Sequence, residues 1–310
     1  MNEFDIINRF FSKKVANPSV VLGIGDDAAV LATGSAATVV SVDTLNVGVH
    51  FFSDAMPADI GYKALAVSLS DMAAMGATPH SVLLALSMPS ADQQWLSQFS
   101  QGFFELADQY KVSLIGGDTT RGALSVTVTM IGTVPEEALV LKRSSAQVGD
   151  HVYVSGTLGD AAFALAQIKQ QQTVSPSILA RLLRPLPRVE CGQMLRTIAS
   201  SAIDISDGLL QDAGHICQQS AVGMEIALDK IPLSSTLCQQ TSRQCALECA
   251  LSGGDDYELL FTVPPQAVAT LVDLPVAITA IGYVVQGGGV SLMGDHDGSH
   301  SGARGYQHFR

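Results

Sequence analysis

The chain has 310 residues, 47% of them hydrophobic and 15% charged, with a formal net charge of −12. Its length suits about two average domains, and its apolar content suffices for a large core. So acidic a chain is a poor binder of nucleic acid or anionic membrane through a basic patch, and an anionic ligand would have to be met through cations.

Residues 2–14 are predicted as an amphipathic helix carrying Phe4, Ile7, Phe10 and Phe11. This start has no long apolar stretch and does not read as a secretory signal. No run reaches the roughly 20 apolar residues of a membrane span. Val20–Leu22 reads as a short strand leading into GIGDD, and residues 38–42 as a β-branched strand ending at Asp43. Pro57 opens a helix carrying Ile60, Ala64, Val67, Leu69 and Met72. Residues 81–87 are expected as a strand, 91–110 as a helix, 112–115 as a strand ending in GGDTTRG, and 124–134 as a long alternating strand. The polar stretch 135–150 is the expected boundary between two domains, residues 1–137 and 138–310.

Beyond it, a strand is expected over 151–155, a helix over 158–170 and a polar loop over 171–177. Helices over 178–184 and 188–200 precede a strand over 202–205 and a helix opening at DGLLQD. Further strands are expected over 224–228, 258–263 and 276–285, then a Gly-rich tail with a hairpin turn at 287–289. The alternation of strands and helices predicts an α/β or mixed α+β chain of two domains. The cysteines are Cys191, Cys217, Cys238, Cys245 and Cys249, an odd set with no C-x-x-C. Unpaired thiols suit a reducing cytoplasm, and Cys245 with Cys249 reads as helix packing.

Six aspartate-bearing turns carry the chemistry: GIGDD (Asp26, Asp27), SVDTL (Asp43), SLSDM (Asp71), GGDTT (Asp118), DISDG (Asp204, Asp207) and SGGDD (Asp255, Asp256). Most follow an apolar run and are packed with Gly, Ser or Thr. Each alone is an ordinary turn or helix cap. Together they point to divalent cations, for which Asp is a short, hard-oxygen ligand. Two carboxylates about 4 Å apart repel by roughly 4 kcal/mol at an effective dielectric of 20, so a convergent set calls for bound metal. GGDTTRG reads as a tight turn or as a backbone cradle for phosphate with Arg121 nearby; no P-loop sequence occurs. Lys142 and Arg143 read as a solvated pair or as a guanidinium fork on a phosphate. His50 reads as structural or as a ligand contact. The GDHDGSH stretch (Asp295, His296, Asp297, His300) reads as a Gly-rich surface turn.

The ordered set GIGDDAAV, SVDTL, YKALAVSLSDMAAMGATP, LIGGDTTRG, LKRSSAQVGD, RPLPR, AIDISDGLLQDAGHI, LSGGDDYELLFTVP and GYQHF resembles the bacterial thiamine-monophosphate kinases across essentially the whole chain. The resemblance implies a two-domain fold like that of aminoimidazole ribonucleotide synthetase, with an N-terminal α/β domain forming a homodimer. It implies transfer of the ATP γ-phosphoryl group to thiamine monophosphate, assisted by several Mg²⁺ ions. Asp27, Asp43, Asp71, Asp118, Asp204 and Asp207 match the family's metal ligands, with Ser41 and Val42 completing the shell. Gly117, Asp118, Arg143 and Ser206 match nucleotide contacts, and His50, Asp255 and Tyr306 match acceptor contacts. Asp27, Asp71, Asp204 and Arg143 are the implied catalytic set. Val42 stands where Thr is frequent, Asp255 where Glu is frequent, and Tyr306 where Trp is frequent. The implied attacking group is a phosphate oxygen, already anionic, so no general base is expected.

Overall fold

The computed structural model describes residues 20–22, 25–33, 36–136, 139–294 and 305–306. The helix expected over 2–14, the stretch from Asp295 to His300 and the domain boundary at 137/138 lie outside these residues. The first half begins with β1 (Val20–Leu22), β2 (Ala29–Thr33) and β3 (Ala36–Asn46), an antiparallel ribbon. Then come α1 (Pro57–Ala74), β4 (Thr78–Met88), α2 (Gln93–Tyr110), β5 (Ser113–Arg121) and β6 (Ser125–Val134). The strands form one six-stranded sheet, ordered β1-β2-β3-β6-β4-β5, in which β4 and β5 run parallel.

The second half comprises β7 (His151–Ser155), α3 (Asp160–Lys169), α4 (Pro176–Leu183), α5 (Val189–Leu195), β8 (Ser201–Asp204) and α6 (Leu209–Ser220). It continues with β9 (Gly223–Ala227), α7 (Ser235–Gln240), α8 (Arg243–Ser252), β10 (Leu259–Val263), β11 (Ile278–Val285) and β12 (Gly289–Met293). Its sheet is also six-stranded, ordered β12-β9-β11-β7-β10-β8. The expected hairpin at 287–289 is corrected here: β12 pairs in parallel with β9, not with β11. Both edges of β11 are already taken by β7 and β9, so the returning chain adds beyond β9.

Local sequence explains these elements. Along β6 every second residue is buried, the period-2 pattern of a half-covered strand. Asp92 caps α2 by accepting from Trp95 N at 2.9 Å, and its stripe of Phe99, Phe103, Leu106 and Ala107 faces the core. Helix α1 is different: it is buried nearly all round, Lys63, Ser68 and Ser70 included. A helix of that kind belongs in an interior. It lies between the sheets, and the buried cluster around it takes in Tyr153, Ala202, Tyr257 and Phe261 of the second half. The halves therefore share a core. Close helix approach is set by Gly102, where an added Cβ would lie 1.8 Å from the Ala58 carbonyl oxygen.

The picture of six turns also needs correction. Asp43 lies inside β3, Asp71 in the last turn of α1 and Asp118 inside β5. The strand expected over 112–115 runs on through the GGDTTR stretch to Arg121. Gly117 there adopts φ +150°, and a Cβ would overlap the Leu84 carbonyl of the neighbouring strand. The Gly-Gly pair admits close strand packing instead of breaking the strand.

Candidate active site at the domain junction

Three of the expected residues converge. Asp27, Asp71 and Asp204 each present a carboxylate oxygen, and the three oxygens lie within 4.8 Å of one another. They come from the loop after β1, from the end of α1 and from the end of β8, so both halves contribute. Helix α1 joins them. Ser70 Oγ donates to Asp204 Oδ2 at 2.6 Å, and Ser68 Oγ donates to Asp43 Oδ2 at 2.8 Å. Asp43 lies near enough to Asp71 for that carboxyl to ease its ionisation, after Ser68.

The electrostatics follow from burial. Burial first, then the charges of Asp43, Asp204 and Asp27, push Asp71 well above the ordinary carboxylate range. Burial and then Asp27 do the same to Asp204. Asp43 is also raised, chiefly by burial. Asp26 is pushed up to about 7 by burial and then by Asp27. Crowded, desolvated carboxylates favour a bound proton or a bound cation.

Arg143 supplies one counter-charge. Its Nε and Nη2 grip Asp27 Oδ2 and Oδ1 at 3.1 and 2.5 Å, a bidentate fork, and its backbone N–H donates to Asp26 Oδ2 at 3.1 Å. Burial opposes its charge, but Asp27 more than offsets this and raises its pKa. Arg143 opens a short 3-10 turn tied down by Ser220, whose Oγ donates to the Arg143 carbonyl at 2.7 Å. It is thus a buried partner of the doublet and not a solvated linker cation.

Divalent metal fits this donor set. The three carboxylates present hard oxygens at close range, and Ser41 Oγ is buried with no hydrogen-bond partner among the described residues. Ser41 eases the ionisation of Asp71 without meeting it in hydrogen-bond geometry. Val42 alternates to the other face of β3 and is 63% exposed, so only its carbonyl could serve a metal.

Other expected residues lie around this centre. Asp207 and Ser206 sit in the loop between β8 and α6. Asp207 accepts from Gln211 Nε2 at 2.6 Å. The Tyr306 N–H donates to the Asp207 carbonyl at 3.0 Å, which sets Tyr306 against the same loop. His50 closes a tight turn, its Nδ1 accepting from the Asn46 N–H at 3.0 Å. Asp255 pairs with Lys63 at 3.1 Å. Gly117 and Asp118 stand apart. Register puts Asp43, Val128, Leu84 and Gly117 in one row across β3, β6, β4 and β5. Three strand spacings separate Gly117 from Asp43, about 14 Å along the sheet. The structure of one chain does not bring Asp118 to the three-carboxylate centre.

Sequence reasoning missed several supports. Asp212 Oδ2 accepts the backbone N–H groups of Ser206, Asp207 and Gly208, each at 3.1 Å, and so shapes the loop that carries Asp207. Its place four residues after Gly208, in the first turn of α6, was the available signal. Asp256 accepts the Gly159 N–H with both oxygens, at 2.9 and 3.0 Å, and anchors the start of α3. Ser68, Ser70 and Lys63 carried no signal beyond being polar in an apolar helix.

The comparisons agree with this layout. Residues 25–134 match the family model described as AIR synthase related protein, N-terminal domain, and residues 147–295 match that of the C-terminal domain. The thiamine-monophosphate kinase of Escherichia coli strain K12 is 44% identical over 319 residues, covering 99% of this chain and 98% of that protein. The crystal structure of thiamine-monophosphate kinase from Stenotrophomonas maltophilia K279a aligns with TM-score 0.81 at 46% identity, over 94% of this chain and 96% of that one. A structure described as AaThiL complexed with AMPPCP and TMP aligns with TM-score 0.87 at 32% identity, over 99% and 97% of the two chains.

Proposed function

Since the chain belongs to the thiamine-monophosphate kinases, a family of AIR synthase related proteins, we propose that it transfers the γ-phosphoryl group of ATP to thiamine monophosphate. The products are thiamine diphosphate and ADP. The observation that carries the reading is the meeting of Asp27, Asp71 and Asp204 at the junction of the two halves. Such a meeting suits a reaction between two anionic substrates.

Asp27, Asp71 and Asp204 would hold Mg²⁺, with Ser41, the Val42 carbonyl, Asp43 and Asp207 as further ligands, and the ions would neutralise phosphate charge and align the two substrates; Asp118, three strands away, is left out of this ligand set. Arg143, with Gly117, Asp118 and Ser206, is assigned to the nucleotide. Its Nε and Nη2 are engaged by Asp27, so it would offer the ATP phosphates its remaining Nη1 and a fixed positive charge. His50, Asp255 and Tyr306 are assigned to thiamine monophosphate. The attacking phosphate oxygen needs no proton removed, so the residues serve to position and to exclude water. Ser68 and Ser70 fix the rotamers of Asp43 and Asp204, which keeps the donor set in place between turnovers.

We assign the enzyme to a homodimer built on β5. Every residue of this nine-residue edge strand is exposed, and Leu114 and Ile115 are exposed apolar residues on it. A long, bare, apolar edge is a site for pairing with another strand. No described helix is long and apolar enough to cross a membrane, and free thiols support a cytoplasmic setting. The test is formation of thiamine diphosphate from ATP and thiamine monophosphate by purified protein, with Mg²⁺ and with excess chelator. Product only in the presence of Mg²⁺ is expected. No product under either condition would overturn the reading, and product unaffected by chelator would overturn the metal assignment. Light scattering on the same sample should give twice the chain mass.

A further inference from the structure

Lys63 is a buried lysine on α1, its side chain 4% exposed. A buried ammonium is retained only where it is paired and hydrogen-bonded. Its Nζ donates to Asp255 Oδ2 at 3.1 Å and to the His50 carbonyl oxygen at 3.4 Å. These acceptors belong to different halves of the molecule, so one side chain ties the turn of residues 46–51 to the loop of residues 253–257. The other oxygen of Asp255 accepts from the Tyr257 hydroxyl at 3.0 Å. Both carboxylate oxygens are therefore held.

The loop is strained where it is held. Asp255 and Tyr257 adopt φ of 70° and 50°, a left-handed conformation that non-glycine residues seldom take. Their N–H groups donate to the carbonyls of Ser206 and Ile205 at 2.9 and 2.8 Å, so the loop is laced to the segment that follows Asp204. Tyr257 also lies close enough to Asp43 and Asp204 for their charges to act on it. Lys63 itself precedes Asp71 by two turns on α1, about 12 Å at 1.5 Å per residue. One buried helix thus presents an acid at the carboxylate centre and a cation at the neighbouring loops.

We propose that Lys63 is a positioning residue for the acceptor: its ammonium holds the Asp255 carboxylate and the His50 turn together across the domain junction and so sets affinity for thiamine monophosphate but not for ATP. This rests on the functional reading above. The test uses the full chain with Lys63→Met, Lys63→Arg, Asp255→Asn and the Lys63→Met/Asp255→Asn double variant. Rates of thiamine diphosphate formation are measured while each substrate is varied in turn. Lys63→Met should raise the KM for thiamine monophosphate by about tenfold or more, with the KM for ATP within about twofold. Lys63→Arg should recover most of the loss. The double variant should be no worse than Asp255→Asn, since Lys63 acts through that carboxylate. An equal rise for both substrates, an unchanged acceptor KM or additive losses would overturn the proposal. Should Lys63→Met fail to fold by its melting curve, Lys63→Gln, which keeps an N–H donor without the charge, carries the same comparison of the two KM values. Wild-type protein that forms no thiamine diphosphate overturns the functional reading and this inference with it. An active wild type with an indifferent Lys63→Met overturns the inference alone.

Discussion

Asp71→Asn separates the cost of the carboxylate centre from its use. The facing oxygens of Asp27, Asp71 and Asp204 lie within 4.8 Å, so each ionised pair repels by about 3.5 kcal/mol at an effective dielectric of 20. Asp71 takes part in two of the three pairs, so its charge accounts for about 7 kcal/mol if all three acids are ionised. Burial raises Asp71 and Asp204 well above the ordinary carboxylate range, which favours their protonated forms in the absence of metal, and Arg143 pairs with Asp27. The gain realised on neutralising Asp71 is accordingly nearer 2 kcal/mol. Asparagine keeps the shape of the side chain. In chelator, the variant should therefore melt higher than wild type, by roughly 3 °C for a chain of this size. Added Mg²⁺ should raise the melting temperature of wild type more than that of the variant, because a ligand stabilises only the state that binds it. The same variant should form no thiamine diphosphate at ordinary Mg²⁺. Calorimetry with and without Mg²⁺, beside a product assay, reads all three effects. A variant that melts lower than wild type in chelator, or that turns over at a near-normal rate, would refute the reasoning.

Three further outcomes are expected. His50→Ala should raise the KM for thiamine monophosphate more than that for ATP, since its ring accepts the Asn46 N–H and so holds the turn whose carbonyl meets Lys63; steady-state kinetics on both substrates checks this, and equal effects would count against it. Gly102→Ala should cost about 2 kcal/mol or more in urea denaturation, because the new Cβ would meet the Ala58 carbonyl at 1.8 Å; the α1–α2 contact would open and activity should fall with stability, as α1 carries Asp71. His215, held down to about 4 chiefly by burial, is neutral in the folded chain and protonates first in the unfolded one. Its contribution is therefore present above about 6.5 and is lost as pH falls towards about 4, by up to roughly 3 kcal/mol. Asp26, raised to about 7, acts in the opposite sense over the same range. The readout is consequently the difference in stability between wild type and His215→Leu, which should shrink as pH falls through that window; a constant difference would refute the assignment.

Much of this architecture can be read from local pattern. Residues 125–134 alternate in sequence and in the sheet, and the strand over 151–155 has the bounds expected of it. The ordered aspartate motifs point to the residues that gather at the junction. What pattern misreads is the setting of Asp43, Asp71 and Asp118. Polar residues beside Gly or Ser look like element ends, because ordinary elements do not bury acids in their interiors. Here a shared core and a site at the junction reverse the rule. Helix α1 can carry Ser68, Ser70 and Asp71 inward because it has a sheet on each side, and partners at Asp43 and Asp204 satisfy them. Those partners are 25 and 134 residues away in sequence, beyond the reach of any local window.

The two aspartate doublets show the same limit at higher resolution. In each, one acid builds the loop and its neighbour faces the junction. Asp26 accepts the backbone N–H groups of Asp27 and Arg143, while Asp27 turns to the carboxylate centre. Asp256 anchors the start of α3, while Asp255 turns to Lys63. The order of roles is reversed between the doublets, so adjacency in sequence cannot assign them. It is decided by which carboxylate the backbone aims at unpaired N–H groups and which it aims at the other half of the molecule. Each half supplies a loop whose structural acid is satisfied at home, which leaves the second acid available at the junction. Aligning the two sheets against α1 is then what assembles the site, so variants that loosen that contact should lose activity even when every aspartate is retained.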